Sequence, residues 1–146
     1  MILTALALLL SPPAEPHRFV YLGSGRYAQY ADLASLTAEG PGGGRIRVFQ
    51  VVEPDFRAAG AAYWGGWSWW RFDCGADGLV DRLDFASVRE GGAEGPATPD
   101  DAPPFTAVEG GDAFEMVVAA CNPDDYDIDA TTLEEAVRHG REQLAL

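Results

Sequence analysis

Trp67-Ser68-Trp69-Trp70-Arg71-Phe72-Asp73-Cys74 is the stretch from which the architecture of this chain can be worked out. Its aromatic residues favour a pleated, half-buried surface, and it ends in one of only two cysteines. As a strand it alternates, so Trp70, Phe72 and Cys74 share one face while Trp67, Trp69, Arg71 and Asp73 share the other. The second cysteine closes Met116-Val117-Val118-Ala119-Ala120-Cys121, which also reads as a strand. In an exported chain, two cysteines imply one disulfide, Cys74 to Cys121. Closing a loop of about 47 residues would contribute about 4 kcal/mol in the chain-entropy model. If the disulfide marks the buried face, Trp67 and Trp69 lie on a side whose covering is open. They could pack under residues 58–66, form a homodimer contact, or join Trp64 and Arg71 in a ligand platform.

Working outward, a period of two recurs at 18–22, 26–31, 45–53, 67–74, 79–89 and 113–121. The runs are separated by turn clusters such as Gly23-Ser24-Gly25, Gly40-Pro41-Gly42-Gly43-Gly44 and Gly75-Ala76-Asp77-Gly78, and by a long Gly/Pro/acidic stretch over 90–104. Links this short favour antiparallel pairing, because a parallel pair needs a crossover of a dozen or more residues. The period then changes. Thr131-Thr132-Leu133-Glu134-Glu135 offers a capping box, and Leu133, Ala136, Val137, Gly140 and Leu144 fall on one helical face. The expected fold is α+β: a twisted, mainly antiparallel sheet of about six strands with one C-terminal helix packed on it. Ala136 and Gly140 imply close approach of that helix to the strands.

With 146 residues, a single domain over 17–146 is expected. Residues 1–16 hold a nine-residue apolar run, Ile2 to Leu10, broken by Thr4 and followed by Ser11-Pro12-Pro13. This is too short to span a bilayer but fits the apolar core of a signal peptide, giving a periplasmic or secreted product with no membrane span after its removal. The 23 acidic and 10 basic residues leave a formal charge of −13, which argues against nucleic acid as a partner.

Three local patterns carry other chemistry and are weighed down by their context. Gly23-Ser24-Gly25-Arg26-Tyr27-Ala28 matches a dinucleotide fingerprint, but the next residues continue as strand and no βαβ alternation follows. Asp125, Asp127 and Asp129 open like a calcium loop, yet Ala130 stands where glycine is needed and Ala136 where a bidentate glutamate is needed. A thiol enzyme would pair Cys74 with His17 or His139, neither placed by sequence as its base. The expectation is therefore no catalytic residue, no metal and no cofactor.

Read in order, several segments resemble the surface-adhesin protein E family of bacterial exported proteins. Tyr30-Ala31-Asp32-Leu33-Ala34-Ser35-Leu36 resembles its aromatic-x-Asp-x-x-Ser-aliphatic strand end, with residues 45–52 as the strand that follows. Trp69-Trp70-Arg71-Phe72-Asp73-Cys74 resembles its Asp-Cys strand, and Phe105-Thr106-Ala107-Val108-Glu109-Gly110 the segment before its last strand and second cysteine. The resemblance implies a twisted antiparallel sheet with a helix on it, a stabilising disulfide and a non-enzymatic role in binding a protein partner. The lipid-bearing N-terminal cysteine of the founding adhesin has no counterpart here, and its host-binding segments cannot be placed. The functional expectation is a non-enzymatic, adhesin-like protein-binding domain, with a small-ligand or glycan binder using the Trp-rich strand as the alternative.

Overall fold

The computed structural model describes residues 16–146, so the expected export signal at 1–16 lies outside them but for Pro16. Nine strands form one antiparallel system: β1 (Phe19–Ser24), β2 (Ala28–Ala38), β3 (Gly43–Val51), β4 (Arg57–Ala58), β5 (Ala61–Asp73), β6 (Leu79–Arg82), β7 (Asp84–Arg89), β8 (Thr98–Pro99) and β9 (Phe105–Thr106). The main path runs β1-β2-β3-β5-β6-β9, with β4 and β7 also paired to β5, and β8 to β7. The helices are α1 (Asp112–Cys121) and α2 (Leu133–Leu144), separated by a 3-10 turn at Pro123–Asp125.

The long strand begins six residues earlier than expected: 58–66 is not a covering loop but a tight Ala59-Gly60 turn and the first half of β5. The run 79–89 divides into two strands. At the break, Leu83 N–H donates to Trp69 O, and the Asp84 carboxylate accepts from Trp69 N–H at 2.9 Å. A side chain thus completes the backbone pairing of β5 between its two partners.

The larger departure is at 113–121, where the expected strand is helix α1. Val117 and Val118 suit a strand, but Ala113, Met116, Val117 and Ala120 also recur at the helical spacing i, i+3, i+4, i+7. A short apolar run is ambiguous between the two periods, and the sheet decides it. Its second face carries Val20, Ala31, Ile46, Val48, Phe72 and Val80, and these pack with Met116 and Ala120. One C-terminal helix could not also have covered that side.

Helix α2 forms as the capping box predicts. Thr132 Oγ1 accepts from Glu135 N–H at 3.1 Å, and Glu135 Oε2 accepts from Thr131 N–H at 2.9 Å. Its buried face, Ala136, Val137 and Gly140, meets Phe19, Ala28, Tyr30, Phe49, Val51 and Trp67. A methyl group on Gly140 would stand 2.9 Å from Val51 Cβ, so the glycine sets how closely α2 approaches β3. The Arg141 guanidinium then donates to Val52 O and Tyr63 O, tying the far end of α2 to the ends of two strands.

Cys74 and Cys121 are disulfide-bonded, with Cα atoms 5.8 Å apart. Because Cys121 ends α1, the bond joins a strand end to a helix end instead of clamping two strands. Among the described residues no helix is long and apolar enough to cross a membrane.

Candidate functional site

The two helices pack on opposite faces of the sheet. Cross-strand register lays the sheet out in rows, and the rows show what each helix leaves open. On the α2 face, Tyr30, Phe49, Trp67 and Ala86 form one row beneath the helix, followed by Asp32, Arg47 and Trp69, then by Thr37, Arg45, Arg71 and Asp81. The last two rows lie beyond α2. On the α1 face, Ile46 pairs with Trp70 and Gly44 with Phe72 beneath the helix, and the open end carries Gln29, Gln50, Gly66 and Ser87 in one row across four strands. Two quarters of the sheet are therefore uncovered, one on each face.

The first open quarter holds most of the residues that the Trp-rich stretch suggests. Parity is as expected: Trp67, Trp69 and Arg71 share a face, and Phe72 and Trp70 face the α1 side. Trp67, however, is only 3 % exposed, packed against Phe19 and Phe49 with the Arg47 guanidinium 4.3 Å over its ring. It is a core residue and presents no surface to a ligand. Trp69 lies between Arg45 and Arg47, each guanidinium about 6 Å from its ring centre. These arginines are paired in turn, Arg47 with Glu94, and Arg45 with Glu39. Arg71 shares Glu39 at 3.1 Å and has Asp81 at 3.8 Å. This surface is an internally neutralised ladder whose stacking positions are already filled.

Trp64 does not join it. A bulge between Tyr63 and Gly65 shifts the register of β5 against β7, and Trp64 packs instead beside α2, where it lines a hollow with Val137, Arg138 and Arg141. The bulge thus brings Trp64 to the α2 face as well, against the cluster that holds Trp67 but apart from Trp69 and Arg71.

The second open quarter is concave. Two hollows of about 360 and 460 Å³ lie side by side, with Gln50 and Arg82 lining both, and make up a two-part groove. Gln29 and Gln50 lie toward one side and Ser87 toward the other, with Gly66 between them in the floor. Gly66 leaves room for the Phe85 ring, which lies directly against the strand: a Cβ would fall 2.3 Å from it, so any larger residue would have to displace that ring. One end of the groove is walled by Phe56 and Tyr63, packed edge to face at 6.3 Å, and the other by Trp70 and Phe105 in the same arrangement at 6.1 Å. Arg82 crosses the middle, its guanidinium 5.2 Å over Phe85 and its Nε 3.3 Å from Asp100. Arg82 and Asp112 are the only charged residues that line it.

None of these groove residues except Trp70 belongs to the Trp-rich stretch. The signal that could have found them is a break in apolar alternation: Ile46, Val48, Gln50 and Val52 share a face, and Gln50 is its one polar member.

The other chemistry-bearing side chains are committed elsewhere. His17 Nδ1 is 2.7 Å from Asp32, whose carboxylate also accepts from Arg18 N–H and Ala34 N–H. His139 Nδ1 is 2.5 Å from the Tyr30 hydroxyl. Burial, reinforced by Tyr21, Asp129 and Glu142, pushes the Tyr30 phenol upward, so it keeps its proton within this hydrogen bond. Asp129 accepts from Tyr21 N–H at 2.7 Å. Among the described residues no three His, Cys, Asp or Glu side chains are grouped as a metal ion would require.

No family model, no curated protein and no solved structure matches this chain.

Proposed function

We propose that this chain is a non-catalytic binding protein of an oxidising, extracytoplasmic compartment, and that its ligand occupies the groove between α1 and the Phe56–Tyr63 end of the sheet. The observation that carries this is the groove itself. It is concave, walled by aromatic pairs at both ends and floored by amide and hydroxyl side chains. Apolar walls with a few convergent polar groups are what binding sites present. The Cys74–Cys121 disulfide supports the compartment.

Hydrogen exchange of the folded protein, with and without a soluble extract of its own cell envelope, tests the site. Slowed exchange is expected at 48–52, 63–67 and 85–88, and it should vanish in a Ser87→Trp variant that fills the floor. Protection confined to 44–47 and 69–73 would move the site to the Arg/Trp ladder and the protein-partner expectation. No change at either place would remove the binding reading.

A further inference from the structure

We propose that the groove takes a neutral oligosaccharide, a deepening of the binding reading that rests on it. Charge is the first reason. The chain carries −13 overall, yet the groove is lined by one cation, Arg82, and one carboxylate, Asp112. Arg82 stands at ion-pair distance from Asp100, 3.3 Å from Nε, without a hydrogen bond there. An anionic ligand would meet a repelling molecule and a guanidinium whose charge Asp100 already offsets, and a cationic one would find no unpaired cluster of carboxylates inside the groove.

The second reason is the pairing of polar and apolar surfaces. A pyranose ring has a C–H face and a rim of hydroxyls, each hydroxyl both donor and acceptor. Amide side chains match that rim, since each offers a carbonyl oxygen and an NH2 group, and Ser87 adds a hydroxyl. The two Gln side chains come from paired residues on adjacent strands, Gln29 and Gln50, so their amides project side by side. Aromatic walls at the two ends, Phe56 with Tyr63 and Trp70 with Phe105, supply surfaces for the C–H faces. Two hollows side by side, with Gln50 and Arg82 lining both, suit a chain of rings over a single sugar.

An extended peptide is the competing occupant, and most of the sheet's edge is already covered. Residues 129–131 pair with β1 through Phe19 N–H to Ala130 O and Asp129 N–H to Phe19 O. The 93–95 segment covers the outer side of β7 through Arg89 N–H to Ala93 O and Gly95 N–H to Ser87 O, while β9 covers β6. Strand addition, the usual source of affinity for an extended peptide on a sheet, has no template of useful length here.

Calorimetric titration of the disulfide-bonded protein with cellohexaose, maltohexaose, xylohexaose and chitohexaose tests the assignment, with oligogalacturonate and a pool of random heptapeptides alongside. Binding of at least one neutral hexasaccharide is expected. Gln50→Ala should weaken it about tenfold, the cost of roughly one hydrogen bond to an uncharged partner, without lowering the unfolding midpoint. Phe56→Ala, at an exposed wall, should weaken it too, and Trp69→Ala on the opposite face should leave it unchanged. Failure of all four neutral sugars overturns the assignment, as does undiminished binding by Gln50→Ala. Binding of the peptide pool or oligogalacturonate alone, with exchange protection in the groove, overturns the sugar and keeps the binding site. Failure of every probe together with absence of groove protection by envelope extract overturns both.

Discussion

At the scale of single residues, the same amino acid takes opposite roles two positions apart. Trp67 and Trp69 share a face of β5, but Trp67 lies under α2 with Phe19 and Phe49, whereas Trp69 lies beyond the helix between Arg45 and Arg47. Trp67→Ala should therefore cost about 3–5 kcal/mol through loss of buried contacts and the cavity left behind. Trp69→Ala should cost about 1 kcal/mol, the scale of exposed cation–π contacts. Urea denaturation separates the two, and equal losses would show that the ladder is as buried as the core. Tyr30 provides a second case. Its raised phenol favours the protonated, hydrogen-bonded form, so this contribution is intact below the ordinary tyrosine value of 10.0 and is lost as pH rises beyond it. Tyr30→Phe should cost about 1 kcal/mol at neutral pH and should flatten the alkaline fall in melting temperature; an unchanged alkaline limb would place that sensitivity elsewhere.

At the scale of elements, helix α2 was the most legible part of the sequence and α1 the least. The capping box, the apolar stripe and the small residues at the contact all act within one helix, so periodicity reveals them. Glu135 is held below its ordinary value of 4.5, chiefly by the Thr131 N–H that donates to it. A lowered carboxylate stabilises the fold above its unfolded value, and that contribution is lost as pH falls through the lowered folded value. Glu135→Gln should accordingly narrow the difference in melting temperature between neutral and acid solution, and an identical pH profile would show that the cap does not titrate. Gly140→Ala offers a sharper test of packing. Helix propensity alone predicts a gain of about 1 kcal/mol, but the 2.9 Å approach to Val51 predicts a net loss of about 1–3 kcal/mol from overpacking. A more stable Gly140→Ala protein would show that the helix can move away from β3. Helix α1 was hidden because its apolar residues satisfy two periods at once, and the choice was made by a sheet face that no residue within 113–121 encodes.

At the scale of the whole molecule, the disulfide and the two helices act together. The Cys74–Cys121 bond fixes the end of α1 to the end of β5, holding the helix over the disulfide end of its face and leaving the groove end bare. Replacing both cysteines with serine should cost about 2–5 kcal/mol, measured by denaturation in the absence of reductant, and should speed hydrogen exchange in α1 more than in α2. Equal acceleration in both helices would show that the bond stabilises the chain globally without positioning α1.

The sequence by itself determined the antiparallel strands, the two-faced alternation of the Trp67–Cys74 stretch, the capped and tightly packed C-terminal helix and the identity of the disulfide partners. These follow from local geometry: strand parity, helical period, turn chemistry and the presence of only two cysteines. Only the tertiary structure decided that 113–121 is a helix, that Trp67 is interior while Trp69 is stacked between arginines, that Trp64 is displaced by a bulge, and that Gln29, Gln50 and Ser87 line one groove. Each of those depends on residues brought together from distant strands, and on which quarter of each sheet face a helix covers, which no local period records.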